Sequence, residues 1–453
     1  MNKKIILICF SCFYVIYSVA QSQKLWTLDD CIAYALEHNL TQQNQVFSAE
    51  INEEQWEQAK RDLIPQIGVG LPSYSVSYGR RVDPITNTIV DTRYVSGVNG
   101  SLSTSIVLFE TFKKWNTLTY KKIQFESSKQ TVLQYKYDLA FKIMTLFNDV
   151  LFYKGNLEIV MEQQKINLLQ YKLITAQEKL GLKAKADIYE IEASISSDEL
   201  NVLQAKNRLK EAKLSLLQEM NLDKIDIELI VPTDDNVAFF ETSFSIDKVF
   251  AKAQQFLPNV QISENNIKAA EKNLAITKAT FYPKISFGAS VNTGYSPNRV
   301  DSNGSQIEFW EQIKTNTNKY ISLSLYIPVF GNGRTWSNTK IARLNLQKAK
   351  VQFKQQNQVV YKEIQKLIQK NEALLVEEQL NTKKLKHQEL AMEIAQKKFK
   401  SNLITLYDLQ TANNRYTKTK MEQLQIKTQL SIQKRTLDFY NGTFILPVDN
   451  EEN

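Results

Sequence analysis

The sequence predicts a mixed α/β membrane protein in which one helix–strand–strand–helix unit is present twice. Three observations carry that reading. Helix breakers are scarce and gathered in two windows, the windows recur at a near-constant offset, and each holds segments that alternate apolar and polar residues.

The amino end is expected to be removed. Lys3 and Lys4 precede the apolar run IILICFSCFYVIY, and Ser18-Val19-Ala20 offers a small-residue cleavage site, so residues 1–20 read as a secretory signal. The run is shorter than the ~20 residues a helical span needs. No other stretch reaches that length, so any contact of the mature chain with a bilayer would be made by strands. Cys9 and Cys12 fall in the signal and leave Cys31 alone, which rules out a disulfide framework within one chain. The only histidines, His38 and His387, are far apart, and neither a metal site nor a cofactor is expected. The formal charge of +8 could suggest nucleic acid, but the lysines alternate with Glu and Gln in stretches such as QKLIQKNEALLVEEQLNTKKLKHQEL. That is the pattern of a solvated helix face, and no nucleic-acid partner is expected.

Ten of the 13 glycines lie in two windows, 65–100 and 283–333, with six of the nine prolines. WTLDDCIAYAL at Trp26 resembles FSIDKVFAKAQ at Phe244, and Pro65 answers Pro283, both at an offset of 218 (244 − 26 and 283 − 65). Trp115 answers Trp336 at 221 (336 − 115), and Ala193 answers Ala412 at 219 (412 − 193). An offset this steady marks a tandem duplication. The expected organisation is a first repeat over 21–235 and a second over 236–453.

In the first repeat, residues 27–63 read as helix, with Thr27 as N-cap beside Asp29 and Asp30, and Pro65 ends it. Strands are expected at about 66–80 and 100–109, then a coiled-coil hairpin over about 116–220. In GSLSTSIVLF, Leu102, Thr104, Ile106 and Leu108 share one face and Ser101, Ser103, Ser105 and Val107 the other. In the second repeat the strands are placed at about 284–296 and 319–330, and the hairpin at about 337–440. Ile321, Leu323, Leu325, Ile327 and Val329 oppose Tyr320, Ser322, Ser324 and Tyr326. Polar loops, RRVDPITNTIVDTRYVSGVN and GYSPNRVDSNGSQIEFWEQIKTNTN, separate the strands of each pair. From 116 to 179 and from 337 to 400 there is no proline, and Gly155 is the only glycine, so each run predicts a helix on the order of 90–100 Å long.

Strands of ~10 residues with one apolar face can cross a bilayer as β-structure, but hydrocarbon demands that every backbone group be paired. A strand-built span therefore closes into a barrel, and bacterial barrels have eight strands or more. Four strands cannot close alone: two copies would give eight, three would give twelve. Trp115, Tyr282, Tyr320, Phe330 and Trp336 would border the bilayer. At the strand-to-helix seam, Pro328, Phe330, Gly331 and Gly333, the chain leaves the sheet where proline cannot donate to a ladder and glycine permits the turn.

The duplicated order of elements, the PVFGNGRTWSNTKIA seam and the GLKAKADIYEIEA turn resemble the TolC outer-membrane efflux family over essentially the whole mature chain. The resemblance implies a homotrimer with a twelve-stranded β-barrel, four strands per chain, in outer-membrane lipid and an α-helical coiled-coil barrel in the periplasm. It also implies a passive exit duct of a tripartite efflux or type I secretion system, docked to a periplasmic adaptor and an inner-membrane transporter. The family's two tip turns fall on Gly181, Leu182, Lys183 and Ala184, and on Ser401, Asn402 and Leu403. Relatives carry paired aspartates near the second turn; Asp408 is the only carboxylate in TLYDLQTA, a candidate entrance constriction.

Other classes fit less. FGNGRTW lacks the third glycine of a dinucleotide loop, with Trp336 in its place, and no P-loop lysine pattern is present. No nucleophile–base constellation suggests an enzyme. A secreted structural or adhesive coiled coil leaves the strand pairs unexplained, and a simple diffusion porin leaves the long helices unexplained.

Overall fold

The computed structural model describes residues 25–82, 87–223, 227–230, 245–297, 299–443 and 446; the expected signal, 1–20, lies outside them. In chain order the elements are β1 (Leu25–Trp26), α1 (Leu28–His38), α2 (Leu40–Arg61), β2 (Gln66–Val82), β3 (Ile89–Phe109), α3 (Lys113–Lys179), α4 (Lys185–Met220) and β4 (Glu228–Leu229). The second half holds α5 (Ile246–Phe256), α6 (Pro258–Ala279), β5 (Lys284–Tyr295), α7 (Phe309–Thr315), β6 (Asn318–Tyr326), α8 (Arg334–Lys400) and α9 (Leu406–Tyr440). The repeat is visible in these bounds. α1 and α5 begin 218 residues apart (246 − 28), as do α2 and α6 (258 − 40), while α3 and α8 match at 221 (334 − 113).

Thr27 caps α1 as expected. Its Oγ1 accepts from the Asp30 backbone N–H at 3.1 Å, and the Asp30 carboxylate accepts from the Thr27 N–H at 3.0 Å. The single helix expected over 27–63 is interrupted at Asn39, which is extended (ψ 121°). Its Oδ1 accepts from the N–H groups of Thr41 and Gln42 at 2.9 and 3.0 Å, so it starts a new helix by capping it. In the second repeat Leu257 holds the matching place, and Pro258 opens α6 where its missing N–H costs nothing.

Two compact units are distinguished. One comprises 47–130 and 261–355 and contains a four-stranded antiparallel sheet in the order β2-β3-β5-β6. β3 begins at Ile89 and not near 100, because much of the expected polar loop is strand: TIVDTRYVSGV is rich in β-branched residues and extends the β2–β3 ladder to Val82↔Ile89. β5 joins β3 only from Tyr295↔Val98. β5 ends at Tyr295 against the expected 296. β6 stops at Tyr326 and not at 330, since Pro328 has no N–H for the ladder. The second loop contains the unanticipated α7, held by fully buried Gln312, whose Nε2 donates to the carbonyls of Ser296 and Ile307 at 3.0 and 2.8 Å. Near the sheet base Trp56 stacks on Phe125 (5.7 Å), and Phe281 meets Trp336 edge-on (6.0 Å).

The other unit comprises 1–46, 131–260 and 356–453, of which the described residues include the two helical hairpins, α3/α4 and α8/α9, over most of their length. One core gathers Trp26, Cys31, Ile32, Ile143, Phe147, Leu216 and Met220 around the short parallel pair β1–β4. Cys31 is fully buried. A second core near the turns packs Ile174 and Ile191 of the first hairpin with Met392, Phe399, Leu406 and Leu409 of the second. Gly155 lets α3 approach α9: a Cβ there would stand 2.8 Å from Leu424 Cδ2.

Candidate functional site: a two-faced sheet and two helical turns

Register sorts the sheet into two faces. One carries rows such as Gln66–Ser105–Gly288–Ser322, Gly68–Ser103–Ser290–Tyr320 and Gly70–Ser101–Asn292–Asn318. The other carries Ile67–Thr104–Ala289–Ile321, Val69–Leu102–Val291–Lys319 and Ile106–Phe287–Leu323. Ile67 is 76% exposed, Ile321 73% and Leu323 70%, so the apolar face is uncovered by the described residues. Among the described residues β2 and β6 are end strands with one neighbour each. An uncovered apolar face and two open edges are costly in water and match a lipid-facing wall that awaits further strands.

Beyond the sheet the chain turns into the long helices. At the second seam Pro328 follows β6, Phe330 is 85% exposed, and Asn332 (φ 49°) and Gly333 (φ 72°) take left-handed conformations before Arg334 opens α8. The Arg334 N–H donates to the Gly331 carbonyl at 3.0 Å. The first seam repeats the same backbone with Thr111 (φ 47°) and Phe112 (φ 58°), 221 residues earlier (332 − 111). A left-handed β-branched residue there carries strain that the second repeat avoids with Asn and Gly.

The two turns are built alike. Gly181 (φ 71°) follows the end of α3; its N–H donates to the Glu178 carbonyl at 2.8 Å and that of Leu182 to Gln177 at 2.9 Å. Asn402 (φ 58°) follows α8; its N–H donates to Phe399 at 3.0 Å and that of Leu403 to Lys398 at 2.9 Å. Both are Schellman closures, and Asn402 supplies the left-handed residue that the second turn lacks a glycine for. Leu182 and Leu403 occupy equivalent places, 59% and 72% exposed, after Leu180 and Ser401 respectively. Lys183 Nζ lies 4.8 Å from the Phe399 ring centroid, linking the turns. Ala184 opens α4, its N–H donating to the Asp187 carboxylate at 3.1 Å.

Asp408 serves as a cap. Its Oδ2 accepts from Thr405 Oγ1 at 2.7 Å and from the Thr405 N–H at 3.1 Å, while Thr405 Oγ1 accepts from the Asp408 N–H at 3.1 Å. These bonds, the side-chain one first, hold its carboxyl below the ordinary carboxylate value. The spacing Thr405-x-x-Asp408 is a capping box legible in sequence. A feature missed from sequence lies deeper in the first hairpin: Asn167 Nδ2 donates to Asp198 Oδ2 at 2.6 Å, with Asn167 4% and Asp198 7% exposed. Burial pushes the Asp198 carboxyl up, against the lowering effect of that hydrogen bond.

Residues 250–443 match the family model described as outer membrane efflux protein. The resemblance to the TolC-like family read from the sequence is borne out. Among solved structures, the fold is similar to that of CusC, with TM-score 0.78, 15% identity and 91% of each chain covered. VceC of Vibrio cholerae gives TM-score 0.78 and 15% identity over 92% of this chain and 96% of that one. CmeC of Campylobacter jejuni gives 0.78 and 15% over 94% and 88%. At these identities the likeness shows a shared fold. In sequence, 107 residues are 28% identical to the cation efflux system protein CusC of Escherichia coli (strain K12), which is 24% of this chain and 21% of that protein's length.

Proposed function

We propose that this chain is an outer-membrane exit duct of a tripartite efflux or type I secretion system. It passively conducts substrate delivered by an inner-membrane transporter through a periplasmic adaptor. The observation that carries the proposal is the sheet: four strands with an apolar face turned outward, a Ser/Gly face opposite, and two open edges. Three copies complete a twelve-stranded barrel, which puts the apolar rows in lipid and the serine rows around water. α3 and α8, 67 residues each, continue into the periplasm as the wall of a helical tunnel. Its end is formed by the turns, where Gly181, Leu182, Lys183 and Ala184 with Ser401, Asn402 and Leu403 meet the adaptor. Exposed Leu182 and Leu403 are the apolar contacts there. Asp408 uses one carboxylate oxygen for its cap, so three copies would still concentrate negative charge at the entrance.

The test is an unboiled gel of outer-membrane extracts. A detergent-resistant oligomer that collapses to monomer on boiling supports the duct; a soluble monomer in the periplasmic fraction sinks it. Gating at the turns is tested with the pair Ala184→Cys and Asn402→Cys. A crosslink formed between subunits is expected to stop export, and full export with the crosslink complete removes the turns from the gate.

A further inference from the structure

A cavity of about 510 Å³ opens where the sheet meets the helices, among Gln66, Val107, Lys284, Ser286, Lys113 and Lys114. Its sheet residues Gln66, Ser105, Val107, Ser286 and Lys284 belong to the serine face, which on the duct reading is the wall that cargo touches. In the rows shared by β3 with β5 and by β5 with β6, Lys284 is the only charge on that face. It stands across the ladder from Tyr326 and forms no ion pair or side-chain hydrogen bond with any described residue. The other lysines of the cavity are engaged: Lys113 Nζ lies 3.0 Å from Glu110 Oε1, and Lys114 Nζ donates to the Asp62 carbonyl at 2.5 Å. Glu110 thus balances Lys113, and the cavity lining carries three lysines against two acids, Glu110 and Asp62. The amino end of α3, with no acid in its first turn, adds the positive pole of a long helix. Ile64 and Val107 supply apolar wall beside these cations.

The charge is not needed by the repeat. Gln66 holds the position equivalent to Lys284 (284 − 66 = 218), starts β2 and pairs with Ser105 in the ladder. A lysine without a partner on an otherwise neutral wall costs nothing in water and gains only when an anion reaches it.

We propose that Lys284 and the cavity beneath it form an anion subsite in the duct wall, and that the cargo includes organic anions with an apolar body and a carboxylate or similar head. This rests on the duct reading above. Three copies would place a ring of Lys284 side chains at the base of the barrel, where cargo enters it from the helical tunnel.

The full chain, reconstituted in planar bilayers, is recorded under a KCl gradient with and without benzoate as the probe anion. Recording in an Asp408→Asn background keeps the carboxylates at the turns from setting the selectivity. Preference for chloride over potassium is expected, falling severalfold in Lys284→Gln and reversing in Lys284→Glu, and benzoate is expected to block current severalfold less well in Lys284→Gln. Conductance whose selectivity and benzoate block are both unchanged by Lys284→Gln overturns the subsite and leaves the duct standing. No conductance in any variant overturns the duct, and the subsite with it.

Discussion

Replacing Asp198 by asparagine is expected to strengthen the first hairpin at neutral pH. In the native chain the Asp198 carboxylate is 7% exposed and accepts a single described hydrogen bond, from Asn167 Nδ2 at 2.6 Å. The other end of that amide, Asn167 Oδ1, is buried with no hydrogen-bond partner among the described residues. An ionised carboxylate has no proton to give it; an asparagine at 198 does, through its own Nδ2. Asp198→Asn thus loses a charge-assisted bond but relieves a buried charge and satisfies an acceptor. Leaving such an acceptor unmet costs about 1–3 kcal/mol, so a net gain of about 1 kcal/mol follows. The assay is amide hydrogen exchange of α4 in the detergent-solubilised protein, where about 1 kcal/mol slows opening roughly fivefold. The pH dependence fixes the sign. Burial raises the Asp198 carboxyl above 3.8, so the folded state holds the proton more tightly than the unfolded chain. The destabilisation is absent below the ordinary value, grows as pH rises through the window between the two values, and is complete above the folded one. The variant's advantage is therefore present at pH 7.5 and vanishes near pH 4. Faster exchange in Asp198→Asn, or an advantage independent of pH, would refute the reasoning.

Three further outcomes are expected. Thr111→Asn gives the first seam the residue type of the second and relieves about 1 kcal/mol of left-handed strain, read as a higher temperature for oligomer dissociation on gels. Gly155→Ala is near neutral, because the atom it meets is the movable end of Leu424 and alanine favours the helix, whereas Gly155→Leu overpacks the α3–α9 contact and costs about 1–3 kcal/mol in denaturant unfolding. Asn402→Gly preserves the second turn, while Gly181→Val, with open space around its Cβ but φ 71°, costs about 1–2 kcal/mol and exposes the first turn to protease.

What the sequence showed and hid follows from the range of the forces involved. The duplication, the serine–leucine alternation and the long breaker-free runs are periodic signals summed over many residues, and the helix starts at 28 and 246 or 113 and 334 preserve their spacing. Single-residue events were harder. Asn39 stops one helix and caps the next with one side chain, so the periodic pattern runs straight across it. The start of β3 at Ile89 was obscured by Asp91 and Arg93, charges that read as loop although the residues around them favour strand. Asp408 drew attention as a lone charge, while Thr405 three residues before it already spelled a cap. The Asn167–Asp198 pair joins residues 31 apart across a hairpin, and Asn413 is wholly buried with neither polar atom paired among the described residues. Neither site leaves a mark in local pattern, because what matters there is which helices face each other.

The unfinished sheet also bears on how the protein is made. A newly exported chain with greasy rows and two free strand margins is a template for unwanted partners until its sisters arrive. Holdase chaperones with an appetite for such surfaces would set the yield, and encounter among copies would become the slow step. Expression above that capacity should then accumulate aggregates in the periplasm in place of more pores.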